Sequence, residues 1–378
     1  MDKLEAAKAH FAALVESQLA RVERMKSDKG AVDYTKLDKI VIGMCGGDGI
    51  GPIITKEAER VLTSVLKEEI ETGRIVLKTI EGLTIENRAK ANKAIPEDVL
   101  ESLKSCDVIL KGPTTTPSKG EGPNIESANV AMRRELDLFA NVRPVFVPEE
   151  GIDWTFFREN TEGEYALGSK GIDLDEDMSF DFKVTTTQGT ERIARQAFEF
   201  ARKNGKKHVA IITKANILKK TDGKFLDICY NMAKEYPEIE VDDWFVDIMS
   251  ANLINEEIRK DYEVFILPNL YGDIITDEAA QIQGGVGTAG SANIGNKYAM
   301  FEAVHGSAPR MIEAGIGNYA NPASIIKASE LLLRHIGCKD AADKITQALE
   351  VANSKLNMTG NTDGNTCSEF ANCVIENL

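Results

Sequence analysis

The sequence predicts an α/β fold, because short apolar runs typical of strands alternate with segments typical of helices. KIVIGMC at residues 39–45 has the length and composition of a buried strand, and GGDGIGP then leads into a helix over residues 53–66. The same pattern predicts further strands at VIL near residue 108, HVAIIT at 208–213 and VFIL at 264–267, and further helices at 130–138 and from Asp273 onward.

The two ends of the chain and one internal segment depart from this alternation. Residues 1–26 repeat apolar side chains at helical spacing, which predicts an amphipathic helix packed on its own domain or at a subunit interface. The segment from Gly163 to Thr187 is polar and acidic and lacks helix signals, so we expect a small projecting hairpin or arm there. From Pro322 onward, two or three helices are expected to complete the chain.

Composition excludes several classes of protein. A net charge of -15 over 378 residues argues against a general nucleic-acid or anionic-membrane surface. No apolar run approaches the length of a membrane span, and the N-terminus has neither a signal peptide's apolar region nor a transit peptide's composition. The six cysteines are scattered and form no C-x-x-C pair, which is typical of reduced thiols. We therefore expect a cytoplasmic protein.

Two glycine-rich segments suggest a nucleotide site without establishing one. GGDGIGP at 46–52 lies between a predicted strand and a predicted helix, but its spacing is not the G-x-G-x-x-G of a Rossmann fold. The segment is explained equally well by a tight structural turn and by a phosphate loop. QGGVGTAGSANIG at 283–295 leaves the same alternatives open.

Charged groups in the second half of the chain suggest a metal and an acidic substrate. Asp273 and Asp277 in YGDIITD are four residues apart, so a helix would present both carboxylates on one face, where a hard divalent cation would relieve their repulsion. A solvated acidic helix start is the alternative. Arg133, Arg143 and Arg158 could bind substrate carboxylates bidentately, although surface ion pairing explains any one of them as well.

Tyr165 in FRENTEGEY and Lys214 in ITKANI are candidate acid–base groups. A buried lysine near cations can lose its proton at neutral pH, and a phenol can deliver a proton to a carbanion. Without charged neighbours, both side chains would be interpreted as structural.

Taken together, these motifs resemble those of the isocitrate/isopropylmalate dehydrogenase family of metal-dependent β-hydroxyacid oxidative decarboxylases, from about Ile40 to the C-terminus. LKGPTTTP followed by S-x-N-x-x-x-R looks like the isocitrate-binding segment of that family. Members that act on isopropylmalate carry apolar or acidic residues where Ser127 and Asn129 stand. A serine can hydrogen-bond the additional carboxylate of isocitrate, whereas an isopropyl group needs an apolar lining.

The resemblance implies a role for each matching position and a homodimer with shared active sites. Tyr165 and Lys214 would be catalytic, and Lys214 and Asp247 would reach the site of a neighbouring subunit. The implied metal ligands for Mg²⁺ or Mn²⁺ are Asp247, Asp273 and Asp277. The implied substrate-binding residues are Lys111, Ser127, Asn129, Arg133, Arg143 and Arg158, and the implied cofactor-binding residues are Thr115, Thr116, His305, Gly306, Arg310 and Asn321.

The resemblance leaves the choice between NAD and NADP open. Related NAD enzymes typically carry an acidic residue after the motif HGSAP, which spans residues 305–309 here, and NADP enzymes often carry a basic one. Arg310 is basic and suits a 2′-phosphate, but Met311 supplies no polar partner. The C-terminal segment also lacks the tyrosine and arginine of bacterial NADP enzymes.

The implied architecture is a two-domain α/β fold distinct from the Rossmann fold. We expect an N-terminal helical extension over 1–36, a large domain from 37–138 and 284–378, and a small domain over 139–283 with its arm at about 163–187. The implied reaction is oxidative decarboxylation of isocitrate to 2-oxoglutarate. The alternatives are a sister enzyme for homoisocitrate, isopropylmalate or tartrate, and a non-catalytic regulatory subunit.

Overall fold

The structure is a computed structural model, and it describes residues 3–27, 30–116, 125–168, 170–285 and 289–378. Its strands are β1 Ile40–Cys45, β2 Ile75–Ile80, β3 Val108–Lys111, β4 Ala140–Val147, β5 Ile152–Glu159, β6 Ile172–Asp175, β7 Met178–Phe180, β8 His208–Thr213, β9 Glu240–Phe245, β10 Val264–Leu267, β11 Gly290–Ile294 and β12 Ala299–Ala303. Its α-helices are α1 Lys3–Lys26, α2 Gly51–Val65, α3 Lys67–Glu71, α4 Ile85–Ala91, α5 Glu97–Lys104, α6 Ala128–Glu135, α7 Thr187–Lys203, α8 Thr221–Ala233, α9 Val246–Leu253, α10 Asn269–Ile282, α11 Pro309–Glu313, α12 Ala323–His335, α13 Lys339–Lys355 and α14 Cys367–Glu376.

The chain divides into two compact units, and each is made of α/β structure. Unit 1 consists of Met1–Gly30 and Phe139–Ala279, and unit 2 consists of Ala31–Leu138 and Ala280–Leu378. The α/β fold predicted from the sequence is confirmed. The bounds expected for the extension, the large domain and the small domain stay a prediction.

In unit 2 the strands follow the order β2-β1-β3-β12-β11. The first four strands of that order are parallel, and β11 runs antiparallel to β12. Because β1, β3 and β12 are parallel, their carboxyl ends lie at one edge of the sheet, where the loops that follow them come together. Helix α2 begins with Pro52 in its first turn, where proline is preorganised for a helix.

In unit 1 the strands follow the order β4-β5-β10-β8-β9. Strands β5, β10, β8 and β9 are parallel, and β4 pairs antiparallel with β5. The core is aromatic: the rings of Phe156 and Phe265 stack with centroids 4.3 Å apart, and Trp154 meets both edge-on. The carboxyl ends of β5, β10 and β8 therefore lie side by side.

Several predicted elements are present at or near their expected bounds. The N-terminal helix, the strands at 208–213 and 264–267 and three C-terminal helices are confirmed. Within the segment expected to form an arm, β6 and β7 make a two-stranded antiparallel hairpin. Among the described residues, no helix combines the length and the hydropathy of a membrane span.

Two helices differ from prediction for identifiable reasons. Helix α10 begins at Asn269, four residues before the expected Asp273. Its first turn contains Gly272, whose weak helix propensity hid this turn in the sequence, and Arg158 packs where a Cβ of residue 272 would lie. Helix α6 spans Ala128–Glu135 rather than 130–138. It ends early because Asp137 adopts a left-handed conformation, φ 48°, and the Leu138 N–H returns to a carbonyl of the helix.

Candidate active site

Arg158 lies near the carboxyl end of β5, and side chains from the first turns of α10 hold it in a fixed orientation. The side chain is 1% exposed; its Nη1 pairs with the Asp273 carboxylate, and its Nε and Nη2 both donate to Asn269 Oδ1, at 3.1 and 2.7 Å. Its aliphatic part packs over Gly272, where an added Cβ would lie 2.4 Å from Arg158 Cγ. Glycine is therefore required at this position for the arginine to reach the helix.

Tyr165 lies against the same carboxylate. Its hydroxyl donates to Asp273 Oδ2 at 2.7 Å, and the guanidinium of Arg158 lies 5.3 Å from the centroid of its ring. Asp273 thus accepts from a phenol on one oxygen and from a guanidinium on the other. A charge-assisted hydrogen bond of this kind orients the phenol strongly.

Arg143 extends the cluster to the second helix carboxylate. Its Nη1 donates to Thr276 Oγ1 at 2.6 Å and to Asp277 Oδ1 at 2.9 Å, and its Nη2 lies 3.8 Å from Asp273 Oδ1. Asp273 and Asp277 project from one face of α10, as their spacing predicted. We call Arg143, Arg158, Tyr165, Asp273 and Asp277 the arginine–aspartate cluster.

Lys214 and Asp247 form an ion pair with each other. Lys214 follows β8, and its main-chain N–H donates to the buried carboxylate of Asp222 at 2.8 Å. Asp247 opens α9 and is exposed, and the hydrogen bond from Lys214 lowers the pKa of its carboxyl. Throughout the described residues, no group of three or more His, Cys, Asp or Glu side chains is arranged to hold a metal, so Asp247 does not join Asp273 and Asp277 in one chain.

Unit 2 contains a buried set of charges that we call the Glu302 cluster. Lys111 on β3 and Glu302 on β12 are register partners, and Lys111 Nζ donates to Glu302 Oε2 at 3.2 Å and to the Gly112 carbonyl at 2.9 Å. Arg133 Nη2 lies 3.4 Å from Glu302 Oε1, and Asn293 Nδ2 donates to the same oxygen at 2.8 Å. Burial acts to raise the pKa of Glu302, but Lys111 and Arg133 lower it to about 2. The carboxylate is therefore ionised near neutral pH.

The predicted substrate-binding residues Ser127 and Asn129 lie at the beginning of α6. Ser127 is the N-cap residue, half-buried, and its hydroxyl makes no capping hydrogen bond to the helix. The Asn129 side chain is held by Thr114, whose Oγ1 lies 3.0 Å from its Oδ1. The first turn of this helix therefore presents a hydroxyl and an amide in the same unit as Arg133.

Three loops of unit 2 meet at the carboxyl ends of β1, β3 and β12. The carboxylate of Asp48 accepts from the main-chain N–H groups of Ile85 and Thr115, at 2.8 and 2.7 Å. The hydroxyls of Thr115 and Ser307 are 2.8 Å apart, and a Cβ added at Gly49 would lie 2.0 Å from the Ser307 carbonyl oxygen. GGDGIGP is thus a tight turn packed against the loop that contains HGSAP.

His305 has a buried nitrogen that faces no protein group in the described residues. Its Nδ1 is 3.0 Å from the carbonyl of Gly306, whereas its Nε2 is buried and unpartnered there. Burial lowers the pKa of His305, so the ring is neutral near pH 7. Of the other predicted cofactor residues, Thr116, Gly306 and Arg310 are exposed, and Asn321 Oδ1 accepts from the Ala323 N–H at the start of α12.

Sequence reasoning missed several residues that position these groups. Arg88 is fully buried and donates to the carbonyls of Ala94, Thr115 and Glu126, which ties the loop after β3 to the segment before Ser127. Asn269 and Glu302 are buried polar side chains whose partners are far apart in sequence. Only Asp48, a carboxylate within a glycine-rich turn, carried a local signal.

The fold and these side chains define a class: α/β proteins that gather arginines, lysines and carboxylates at the carboxyl ends of parallel strands, where charged small molecules bind. The sequence model of the isocitrate/isopropylmalate dehydrogenase family matches residues 41–374. The chain belongs to that family, as the resemblance in its motifs predicted.

Known relatives carry more than one substrate name. A homoisocitrate dehydrogenase of Methanocaldococcus jannaschii is 38% identical over 80% of this chain and 87% of its own length. An NADP isocitrate dehydrogenase of Rickettsia felis is 43% identical over 80% of this chain and 61% of its own length. The crystal structure of isocitrate dehydrogenase from Methylococcus capsulatus matches with a TM-score of 0.77 and 35% identity, covering 89% of this chain and 99% of that one. The family is established, and these names alone leave the substrate open.

Proposed function

We propose that this dehydrogenase catalyses the oxidative decarboxylation of isocitrate to 2-oxoglutarate and CO₂, with hydride transfer to NAD or NADP. The observation that carries the proposal is the arginine–aspartate cluster, in which two guanidinium groups and a phenol converge on two helix carboxylates. Such a site combines anion-binding groups, a proton donor and oxygen ligands, which are the groups that oxidation and decarboxylation of a hydroxy acid require.

The beginning of α6 supports isocitrate over its relatives. Ser127 offers a hydroxyl that its own helix does not use, and Asn129 lies two residues later. Both can hydrogen-bond a third carboxylate, whereas the isopropyl group of isopropylmalate would meet polar atoms without partners. Homoisocitrate has a third carboxylate as well, one methylene farther away, and is the leading alternative substrate.

The carboxylates of the cluster fit a hard divalent cation. Asp273 and Asp277 are part-exposed and exposed oxygen donors on one helix face, the ligand type that Mg²⁺ and Mn²⁺ prefer. We assign them as ligands, with Asp247 contributed by a second copy of the chain, because Asp247 does not group with them within one chain. When bound, the metal would lower the pKa of the substrate hydroxyl and polarise the carbonyl that replaces it.

The remaining steps follow from the side chains of the protein. Arg133, Arg143 and Arg158 would hold the substrate carboxylates. Lys214, supplied by the second copy, would take the hydroxyl proton as hydride leaves carbon for the nicotinamide. After CO₂ departs, Tyr165 would donate its proton to the carbon that carried it. The hydrogen bond from Tyr165 to Asp273 keeps the phenol oriented toward the site between turnovers.

The loops of unit 2 suit a nicotinamide dinucleotide. The buried Nε2 of His305 has no partner in the described residues, and a bound nucleotide could supply one. We assign Thr115, Thr116, His305, Gly306, Arg310 and Asn321 to the cofactor. Arg310 is exposed and cationic, so it could pair with the 2′-phosphate of NADP. We propose NAD or NADP as the hydride acceptor.

The test is the appearance of reduced nicotinamide when purified protein meets isocitrate and Mn²⁺. Parallel reactions would use homoisocitrate, isopropylmalate and tartrate, each with NAD and with NADP, and each repeated after chelation of the metal. We expect metal-dependent turnover with the highest kcat/KM for isocitrate. A higher kcat/KM for homoisocitrate would replace the substrate, and no turnover on any acid would support a regulatory subunit.

We further propose a cytoplasmic homodimer with shared active sites. Asp247 supports this proposal, because within one chain, among the described residues, it does not group with Asp273 and Asp277. The family resemblance assigns its ion-pair partner Lys214 to the same second chain. Mixing two inactive variants, Lys214→Met and Tyr165→Phe, provides the test. Shared sites predict partial recovery of activity in the mixed dimer, since one of its two sites is intact, and self-contained sites predict none.

A further inference from the structure

Helix α1 precedes the part of the chain that the family model matches, and it packs on unit 1. Near its middle, the rings of Phe11 and Phe182 lie 5.3 Å apart, and a ring nitrogen of His10 is 2.9 Å from the carbonyl oxygen of Lys170. Near its end, Arg21 reaches residues 140 and 141 positions away in sequence. The helix is thus anchored at both places to the segment around Tyr165.

Arg21 binds two neighbouring side chains with its two terminal nitrogens. Nη1 pairs with Glu162 Oε1 at 3.0 Å, and Nη2 donates to Thr161 Oγ1 at 3.0 Å. The Thr161 hydroxyl also accepts from Arg192 Nη2 at 2.9 Å and donates to Glu159 Oε1 at 2.8 Å. One hydroxyl therefore links two guanidinium groups to a carboxylate.

The two carboxylates that Arg21 approaches are buried and close in sequence. Glu159 and Glu162 are each 2% exposed. Burial and the charge of Glu162 raise the pKa of Glu159 to about 7, while Arg21 and Arg192 act in the opposite direction. Two buried like charges are unstable without compensating cations. Arg21 supplies one of the two cations, and it comes from α1.

Hydrogen bonds connect this pair to the arginine–aspartate cluster. The carbonyl of Glu162 accepts from Asn269 Nδ2 at 3.1 Å, and Asn269 Oδ1 accepts from Arg158. Arg158 and Tyr165 then share Asp273. Glu162 also binds Thr186 through the main-chain N–H, at 2.8 Å, and through the hydroxyl, which fixes both ends of the segment that contains Tyr165.

We propose that Arg21 is a positioning residue for the active site: from a helix outside the family-matched segment, it fixes residues 159–163 and thereby the orientation of Arg158 and Tyr165. This inference rests on the proposed function, since it assigns the anchored groups to substrate binding and proton transfer. It gives α1 a role that the amphipathic pattern alone did not indicate.

The test compares Arg21→Met with Arg24→Met, which removes the same charge from an exposed position on the same helix. We expect Arg21→Met to lower kcat/KM for the acid substrate by about tenfold or more, a loss typical of displaced catalytic groups. The KM for the dinucleotide, whose assigned residues lie in unit 2, should stay within about twofold, and Arg24→Met should match the wild type. Equal loss in both variants, or no loss in Arg21→Met, would overturn the proposal.

Two further readouts separate positioning from general stability and from the assignment of the substrate. Hydrogen exchange should rise in peptides covering 157–168 in Arg21→Met and in Thr161→Val, and not in peptides of unit 2. The decrease in melting temperature caused by Arg21→Met should become larger from about pH 5.5 to about pH 8, because Glu159 then ionises without the nearby charge of Arg21. Arg21→Lys keeps the positive charge but cannot bind Glu162 and Thr161 with two separate nitrogens of a planar guanidinium group, so it should restore only part of kcat/KM.

If the proposed function is wrong, the wild-type protein will turn over none of the acids. Hydrogen exchange would still test whether Arg21 positions residues 159–163. Protection at 157–168 that is unchanged in Arg21→Met would overturn the positioning role on its own.

Discussion

The substitution Glu302→Gln tests the buried charges of unit 2 most directly. It keeps the size of the side chain but removes its charge, and it leaves Lys111 and Arg133 without the carboxylate between them. Lys111 is fully buried, and its other hydrogen bond goes to the main-chain carbonyl of Gly112. Removing one member of a buried ion pair is far more destabilising than the net worth of the pair, because the remaining charge stays desolvated.

The magnitude follows from the pKa of Glu302. Its pKa falls from 4.5 to about 2 in the folded protein. Since one pKa unit is worth about 1.36 kcal/mol, the folded surroundings, in which the cations and hydrogen bonds outweigh burial, favour the ionised state by a net of roughly 3 kcal/mol. This value lies at the low end of the ~3–5 kcal/mol measured for broken buried pairs. For a unit of roughly 200 residues, this corresponds to a drop in Tm of about 6–12 °C.

The assay is differential scanning calorimetry across pH, with Glu97→Gln as the matched control. Glu97 pairs with Lys93, but its side chain is 81% exposed, so its loss should change Tm by no more than about 2 °C. Because the folded pKa of Glu302 is lowered, its stabilisation is full above about pH 4.5 and declines as pH falls toward 2. A Tm loss below about 2 °C in Glu302→Gln, or a loss as large near pH 3 as near pH 7, would refute the reasoning.

Three other predictions concern the proposed site. Gly272→Ala should reduce kcat/KM by about a hundredfold, because the new Cβ would lie 2.4 Å from Arg158 Cγ and displace the arginine. An unchanged kcat/KM in steady-state kinetics would mean that Arg158 can move without affecting the reaction. Lys214→Met should lose most of kcat, by about a hundredfold or more, and a near-normal kcat would remove Lys214 from the mechanism. Arg310→Ala should raise the KM for NADP by about tenfold and leave that for NAD nearly unchanged, whereas equal effects on both would limit Arg310 to packing.

Local sequence was sufficient for elements whose bounds depend on their own residues. HVAIIT and VFIL are short apolar runs bounded by polar residues, and both strands begin and end where the pattern indicates. Helix α10 was placed too late because Gly272 weakens the helical pattern, and the contact that requires glycine comes from Arg158 on another element. The end of α6 depends on a left-handed Asp137, which its composition did not predict.

The candidate site shows the same division. The spacing of Asp273 and Asp277 placed both carboxylates on one helix face, and the motifs indicated the family that the comparisons established. Which arginine binds which carboxylate could not be read from the chain, since Arg143 and Asp277 are 134 positions apart. Asn269 and Arg21 carry no local signal at all, because their importance lies in the partners that folding brings to them.

The sequence by itself determined the α/β alternation, the amphipathic first helix, the charged residues available for chemistry and the family to which the chain belongs. Only the tertiary structure decided how those charges pair, that Lys111 and Glu302 face each other across neighbouring strands, and that α1 supplies a cation to two buried glutamates. The physical reason is range. Periodicity and turn chemistry act over a few residues, whereas the energy of a buried charge depends on which distant groups surround it.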